Sequence, residues 1–423
     1  MLHNLFTRFL QSVDSIARNR VYMLLGGVFV LLVASGIFYK KANRFADVES
    51  HIPATILALQ YGYDLEGYGL SGVSANGIED TYGNGILRIL NEGIVPDSFS
   101  HYRSTIGVQG FFYAWLYQTL NLTSFKALYW LNAIFSAMAL LVCSILLGKI
   151  FGRAFGAVFF LSLFTSSWVA NFSGSLYFSL AFWILPAIIA FSLYRMVATQ
   201  NKLSKTTLTL FCLAYMFAIA LRASMSYEFL TSIILFALSP FIVSFVYGLL
   251  TDSKAPFLSL SAKQSFKYGL GLFIFACVGF GLTFIIHTYI RGSGDLWAGL
   301  MEIYHNDFLR RMLGGVAKDF PPTYTNSLNA NALEVIRIYL SNPIMLLLLG
   351  ASVLACVLES SKAYRSLYIA LLVSFALPAI SWFVLGKSHS YIHRHFCFVL
   401  WYLGFWASII YIPLHYFYRK KIA

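Results

Sequence analysis

The chain alternates long apolar runs with short polar connections. Runs close to the length that spans about 30 Å of hydrocarbon fall at 21–39, 127–148, 154–172, 176–194, 206–221, 229–250, 268–290, 341–358, 366–385 and 396–414. They predict an all-α, polytopic integral membrane protein of ten transmembrane helices, with both termini on one side. Residues 21–39 are long enough to span, and no small-residue cleavage site follows them, so they read as a signal anchor. Residues 105–122 are nearly span-length. Counting them as a span would reverse the side of Lys149 and Arg153 and upset every later connection, so they read as a helix lying on the outer membrane face. Three substantial polar pieces remain on that face: a first loop at 40–126 with interfacial helices, a second at 291–340, and the segment from Lys387 to His395. No internal repeat or Pro-, Gly- or Ser-rich linker divides the chain, which predicts one transmembrane domain over 1–423.

Composition agrees with the pattern. Hydrophobic residues make up 59% of the chain and charged residues 11%, where a soluble domain carries about a quarter charged residues. The formal net charge is +13, but it follows the topology. One set of connections holds Lys149, Arg153, Arg195, Lys254, Lys362 and the tail Arg419-Lys420-Lys421, and in all carries sixteen bases against three acids. By the positive-inside rule this side is cytoplasmic. The other face has fourteen of each sign, so the basic balance calls for no nucleic-acid partner. The expected site is a plasma (inner) membrane with its chemistry on the extracytoplasmic face. Five cysteines, at 143, 212, 277, 356 and 397, lie in or at the ends of apolar runs without Cys-x-x-Cys spacing and read as small apolar residues.

Candidate chemistry begins with the carboxylates. Of seventeen acids, eight fall between residues 45 and 100, where Arg88 is the single base. Nearest the membrane stands Asp47-Val48-Glu49. A carboxylate at a membrane boundary has a pKa raised by desolvation and lowered by a nearby cation, which suits general-base work on a weak nucleophile. A second cluster is basic: Arg291, Arg310, Arg311, Lys318 and Arg337 lie in or beside the second loop, with Arg103 and Arg222 elsewhere. Arg forks and Lys point charges suit a phosphate at the membrane surface. Arg222 ends an apolar span and Glu228 follows closely, which predicts an ion pair. The third cluster is Lys387, His389, His393, Arg394 and His395. His389 and His393 are four apart and share a face on a helix, able to donate to a phosphate; a zinc site would need a third ligand.

A short acidic motif just beyond the first span, followed by a long outer loop with interfacial helices, resembles the GT-C superfamily of membrane glycosyltransferases. That resemblance rests on topology over most of the chain and on sequence only at 44–51. It implies a sugar transferred from a polyprenyl-phosphate-linked donor to an extracytoplasmic glycan, lipid or protein acceptor. Asp47, supported by Glu49, would be the base or a metal ligand, and a divalent cation (Mg or Mn) is left open. Arg222, Arg310, Arg311, Lys387, His389, His393 and Arg394 would bind the donor phosphate, while membrane lipids surround the prenyl tail. Two rivals stand beside it: an O-antigen-polymerase-like or ligase-like enzyme acting on polyprenyl-diphosphate glycans through outer Arg and His residues, and a lipid-linked-sugar transporter. The near absence of charge within the spans weighs against the transporter.

Overall fold

Apolar runs in a low-dielectric surrounding must close their own backbone hydrogen bonds, and helices do so within one segment. The computed structural model describes residues 26–29, 32, 46–76, 86, 88–89, 92–200, 203–252, 258–313 and 330–422. The first loop is built from α1 (Ala46–Glu49) and α2 (His51–Gln60), then an antiparallel pair of β1 (Ser71–Ser74) and β2 (Ser98–His101), with Ser71 opposite His101 and Ser74 opposite Ser98. α3 (Val108–Thr119) closes the loop. At twelve residues α3 is about 18 Å long, too short to cross a membrane, as expected for 105–122. It crosses the loop closely because both chains offer glycine: a Cβ on Gly110 would fall inside the Gly69 carbonyl.

The bundle follows: α4 (Phe125–Phe151), α5 (Arg153–Phe164), α6 (Ser167–Gly174), α7 (Leu180–Thr199), α8 (Lys205–Met225), α9 (Leu230–Leu250) and α10 (Ala262–Arg291). After α11 (Leu296–Ile303), a π-helical turn at Tyr304–Leu309 and α12 (Arg310–Leu313) come α13 (Ala332–Leu340), α14 (Pro343–Leu358), α15 (Lys362–Leu385), α16 (Lys387–Ile392), α17 (Arg394–Cys397), a 3₁₀ turn at Phe398–Tyr402 and α18 (Phe405–Ile422).

Among the described residues six helices are long and apolar enough to cross a membrane (α4, α7, α8, α9, α10 and α15), or up to eight if each of two bent pairs is one span. Ten unbroken spans, as expected, are not found among the described residues, and each departure there has a local cause. The run 154–172 turns by 73° between α5 and α6, where extended Ser166 accepts a hydrogen bond from the Val169 N–H and starts a new helix. The run 341–358 becomes α14, set at 96° to α13. Asn342 caps α14 through the Ile344 and Met345 N–H groups, and Pro343 opens it. The run 176–194 starts late, at Leu180, because Ser179 has φ 47°. The run 396–414 is split by Gly404, at φ 95°, before α18 begins. Of the run 21–39 only 26–29 and 32 are described; the rest, with Glu79 and Asp80 of the first loop and Lys318 of the second, lies outside the described residues.

The connections separate into two ends. At one, Arg419 pairs with Glu359 at 2.8 Å, and Arg195 donates to the Lys149 carbonyl at 2.9 Å. At the other, His287 and Arg291 near the end of α10 both reach the Arg103 carbonyl, and His389 of α16 reaches Glu228 between α8 and α9. This is the grouping of connections that the charge pattern requires. Between the ends, α10 packs Leu272, Ala276, Gly279 and Thr283 inward and exposes Ile274, Val278, Leu282 and Ile285. A Cβ on Gly279 would lie 2.4 Å from the Met216 carbonyl of α8, the close approach that small residues permit between membrane helices.

The two-ended arrangement predicts a labelling pattern. With Cys277 replaced by Ser, an impermeant thiol reagent applied outside the cell should modify Ser74→Cys and spare Ser204→Cys and Ser361→Cys. Outside labelling at position 204 or 361 would refute this orientation of the bundle.

Candidate functional site

At the end opposite the basic tail a cavity of about 320 Å³ opens between the first loop, α12, α16 and the α8–α9 connection. Its polar wall is Glu228, Arg310, Arg311, His389 and His393; His51, Tyr102 and Val48 complete the opposite side. Most of these side chains are half-buried or buried, so their charges act in a poorly solvated space.

Glu228 is placed by its backbone. Phe229 adopts φ 62°, breaking the chain between α8 and α9, and the Glu228 N–H bonds Ser226 Oγ at 3.1 Å. Arg222 lies fully buried, 5.4 Å over the Trp183 ring, and donates to the Glu228 main-chain carbonyl at 2.9 Å. The expected Arg222–Glu228 ion pair is therefore not what forms. Arg222 fixes the turn from below, and the Glu228 carboxylate is left to meet His389, Oε1 to Nε2 3.4 Å. Burial pushes the Glu228 carboxyl up, but the hydrogen bond and charge of His389, with the charges of Arg311 and His393, outweigh it and hold the group at about 2.

The two histidines share one side of α16 and its end, ring centroids 4.5 Å apart, and His393 stacks on Phe396 at 4.6 Å. The π-helical turn delivers the arginines; such turns recur at functional sites because they re-aim the residues that follow. Within it Asp307 is buried and bonds Arg311 at 3.1 Å, with Arg291 at 3.6 Å; Arg291 also holds Glu302 at 2.8 Å. Burial lowers the Arg311 pKa, and Asp307 and Glu228 reverse that, so it stays charged. Arg310, half-buried beside it, makes no ion pair among the described residues.

His51 forms the far wall. Its Nδ1 lies 3.0 Å from the Ser71 carbonyl, so that nitrogen carries the proton, and its ring packs 4.3 Å from Tyr102. Burial pulls its pKa down to about 4, with the Ser71 carbonyl opposing. His51 also borders a second, neutral cleft of about 190 Å³ shared with Ser50, Ser74, Ser98 and Phe99.

The acidic motif enters this picture differently from the basic clusters. Val48 lines the cavity. Glu49 accepts from Ser175 Oγ and from the Leu176 N–H at 3.1 Å, tying α1 to the segment before α7. Ser50 is helical, with φ −68° and ψ −24°, so Asp47 occupies the position one turn before His51; its side chain lies outside the described residues, as does that of His395. Lys387 donates to the Ala330 carbonyl at 2.8 Å, and exposed Arg394 sits 4.5 Å over its neighbour Tyr391. Neither lines the cavity. The structure thus joins Arg310, Arg311, His389 and His393 and leaves Arg222, Lys387 and Arg394 outside. Among the described residues no group of three or more His, Cys, Asp or Glu side chains could hold a metal ion, and Glu49 is committed elsewhere.

Sequence reasoning missed Glu228, His51, Tyr102 and Asp307 as members of one site. A signal existed for Glu228: it is an acid between two uncharged spans. Compared with known family models, curated proteins and solved structures, the chain matches none.

The buried His51 gives a pH dependence with a definite sign. Its folded pKa, about 4, lies below the unfolded value of about 6.5, so the unfolded chain binds more protons between the two. Stability present at neutral pH is lost as pH falls from about 6.5 towards 4, by up to about 3 kcal/mol. Unfolding midpoints of detergent-solubilised protein should therefore fall more steeply over this window than those of His51→Gln. Parallel curves would show that His51 is not buried neutral.

Proposed function

We propose that the chain is a membrane glycosyltransferase that takes a sugar from a polyprenyl-phosphate-linked donor and passes it to an extracytoplasmic acceptor. The observation that supports this most is the concentration of Arg310, Arg311, His389 and His393 around one buried cavity at the end of an apolar bundle. A lipid-linked sugar carries its phosphate at the membrane boundary, within reach of such a wall. Bidentate arginine and donating imidazole hold the phosphate and stabilise the charge that grows on it as the sugar departs. Arg310 is the cation best able to engage it, because Arg311 already shares Asp307. The neutral cleft beyond His51, with its serines and Phe99, suits a hydroxylated acceptor. Asp47, one turn before His51, is proposed to engage that acceptor at the rim.

The second reading, a polymerase-like or ligase-like enzyme on polyprenyl-diphosphate glycans, is favoured by one observation: the described polar wall is Arg and His around Glu228. Both readings share the phosphate site. Competition separates them, since a diphosphate site should prefer polyprenyl diphosphate over the monophosphate by tenfold or more.

Loss of one charge-assisted contact to phosphate is worth about 1.5–3 kcal/mol, roughly tenfold to a hundredfold in affinity. Arg310→Ala and His393→Ala should weaken binding of polyprenyl phosphate in nanodiscs by that factor. Arg394→Ala, outside the cavity, should do much less. Equal effects in all three, or none in the first two, would contradict the proposed phosphate site. In the same series Asp47→Asn should lower the cell-surface glycan product while leaving polyprenyl-phosphate affinity unchanged.

A further inference from the structure

Glu228 is 7% exposed and lines the cavity, yet its Oε2 is buried without a hydrogen-bond partner among the described residues. Its other oxygen has His389 at 3.4 Å. A buried carboxylate oxygen left without a donor is destabilising unless the bound state supplies one. The cations around it are suited to the donor's phosphate, whose ionised oxygens bring no such hydrogen-bond donor. An acceptor hydroxyl does.

Resting on the glycosyl-transfer reading above, we propose that Glu228 is the catalytic base, taking the acceptor's hydroxyl proton through Oε2, and that phosphate seated on Arg310, Arg311 and His393 switches it on. In the step, the acceptor oxygen forms a bond to the anomeric carbon. The bond from that carbon to the phosphate oxygen breaks, its electron pair staying on the phosphate. The hydroxyl proton moves to Glu228 Oε2, and His389, held against Oε1, positions the carboxylate.

The switch is electrostatic. Without donor, the charges of Arg311, His389 and His393 keep Glu228 a weak base. The donor's phosphodiester carries one negative charge, and on the same cations it offsets part of the field that depresses the carboxyl; the leaving polyprenyl phosphate, a monoester, carries roughly −1.5 to −2. Glu228 becomes more basic only when a donor is present, which favours donor binding before transfer and restrains water activation in the empty site. The same repulsion acts in reverse: the Glu228 charge weakens phosphate binding.

That reversal gives a test whose sign separates base from scaffold. Polyprenyl phosphate in nanodiscs is the probe for binding, and mass spectrometry of cell-surface glycans from cells carrying each variant reports transfer. Glu228→Gln should bind polyprenyl phosphate about tenfold more tightly than the native protein and lower product by about a hundredfold or more. Titration calorimetry at pH 5 in buffers of different ionisation heat should count fewer protons taken up on phosphate binding by Glu228→Gln than by the native chain. Glu228→Asp keeps the charge for folding but withdraws the oxygen by one methylene; it should bind phosphate like the native protein and still lose product. Weaker phosphate binding by Glu228→Gln, or native product levels in either variant, would overturn the proposal while the dependence on Arg310 stood. Loss of the Arg310 dependence would instead overturn the donor-site reading beneath it.

Discussion

Poorly solvated charges at the end of an apolar bundle are costly to leave alone, and the two carboxylates at this cavity each face a cation or a histidine close by. Asp307 answers this requirement for two arginines at once, holding Arg311 at 3.1 Å and Arg291 at 3.6 Å. The Glu228–His389 contact answers it again across the cavity. Around these two anions the π-helical turn after α11, the break between α8 and α9, and α16 converge. Removing either carboxylate would leave cations facing one another, so the cavity's shape and its charge are one property. On the proposed reading, phosphate is the ligand that this wall of cations would take up.

Much of the fold was legible in the sequence because its causes are local. Most of the apolar runs formed helices among the described residues, six to eight of them long and apolar enough to span, and the asymmetry of Lys and Arg between connections matches the two ends that the structure shows. The bends were less visible. Ser166, Ser179 and Asn342 each redirect the chain through one cap or one left-handed residue, too small a signal to stand out within a twenty-residue apolar run. That 105–122 forms a helix too short to span followed from its length, whereas the glycine contact that seats it, Gly110 against Gly69, is a long-range event.

The site was legible in part. Arg310, Arg311, His389 and His393 were recognisable by residue type and local spacing, and they do meet. What sequence could not convey is which neighbours are already committed. Arg222 stood beside Glu228 in sequence and suggested an ion pair, but its guanidinium reaches the main-chain carbonyl while the carboxylate turns to His389, 161 positions on. Glu49 was read with Asp47 as one motif, and the fold commits Glu49 to Ser175 and Leu176. His51 carries no local signal of a role; only the Ser71 carbonyl and the Tyr102 ring, brought in by the strand pair, make it a neutral wall between two cavities.

The central claim is that the Arg–His cavity holds the phosphate of a lipid-linked donor, and its most direct measurement is a cryo-EM map of the protein in nanodiscs containing polyprenyl phosphate. The account predicts phosphate density within hydrogen-bonding distance of Arg310 and His393, with the prenyl chain leaving between the apolar helices. Phosphate density bound elsewhere on the protein, with the cavity's arginines and histidines undisturbed, would contradict it.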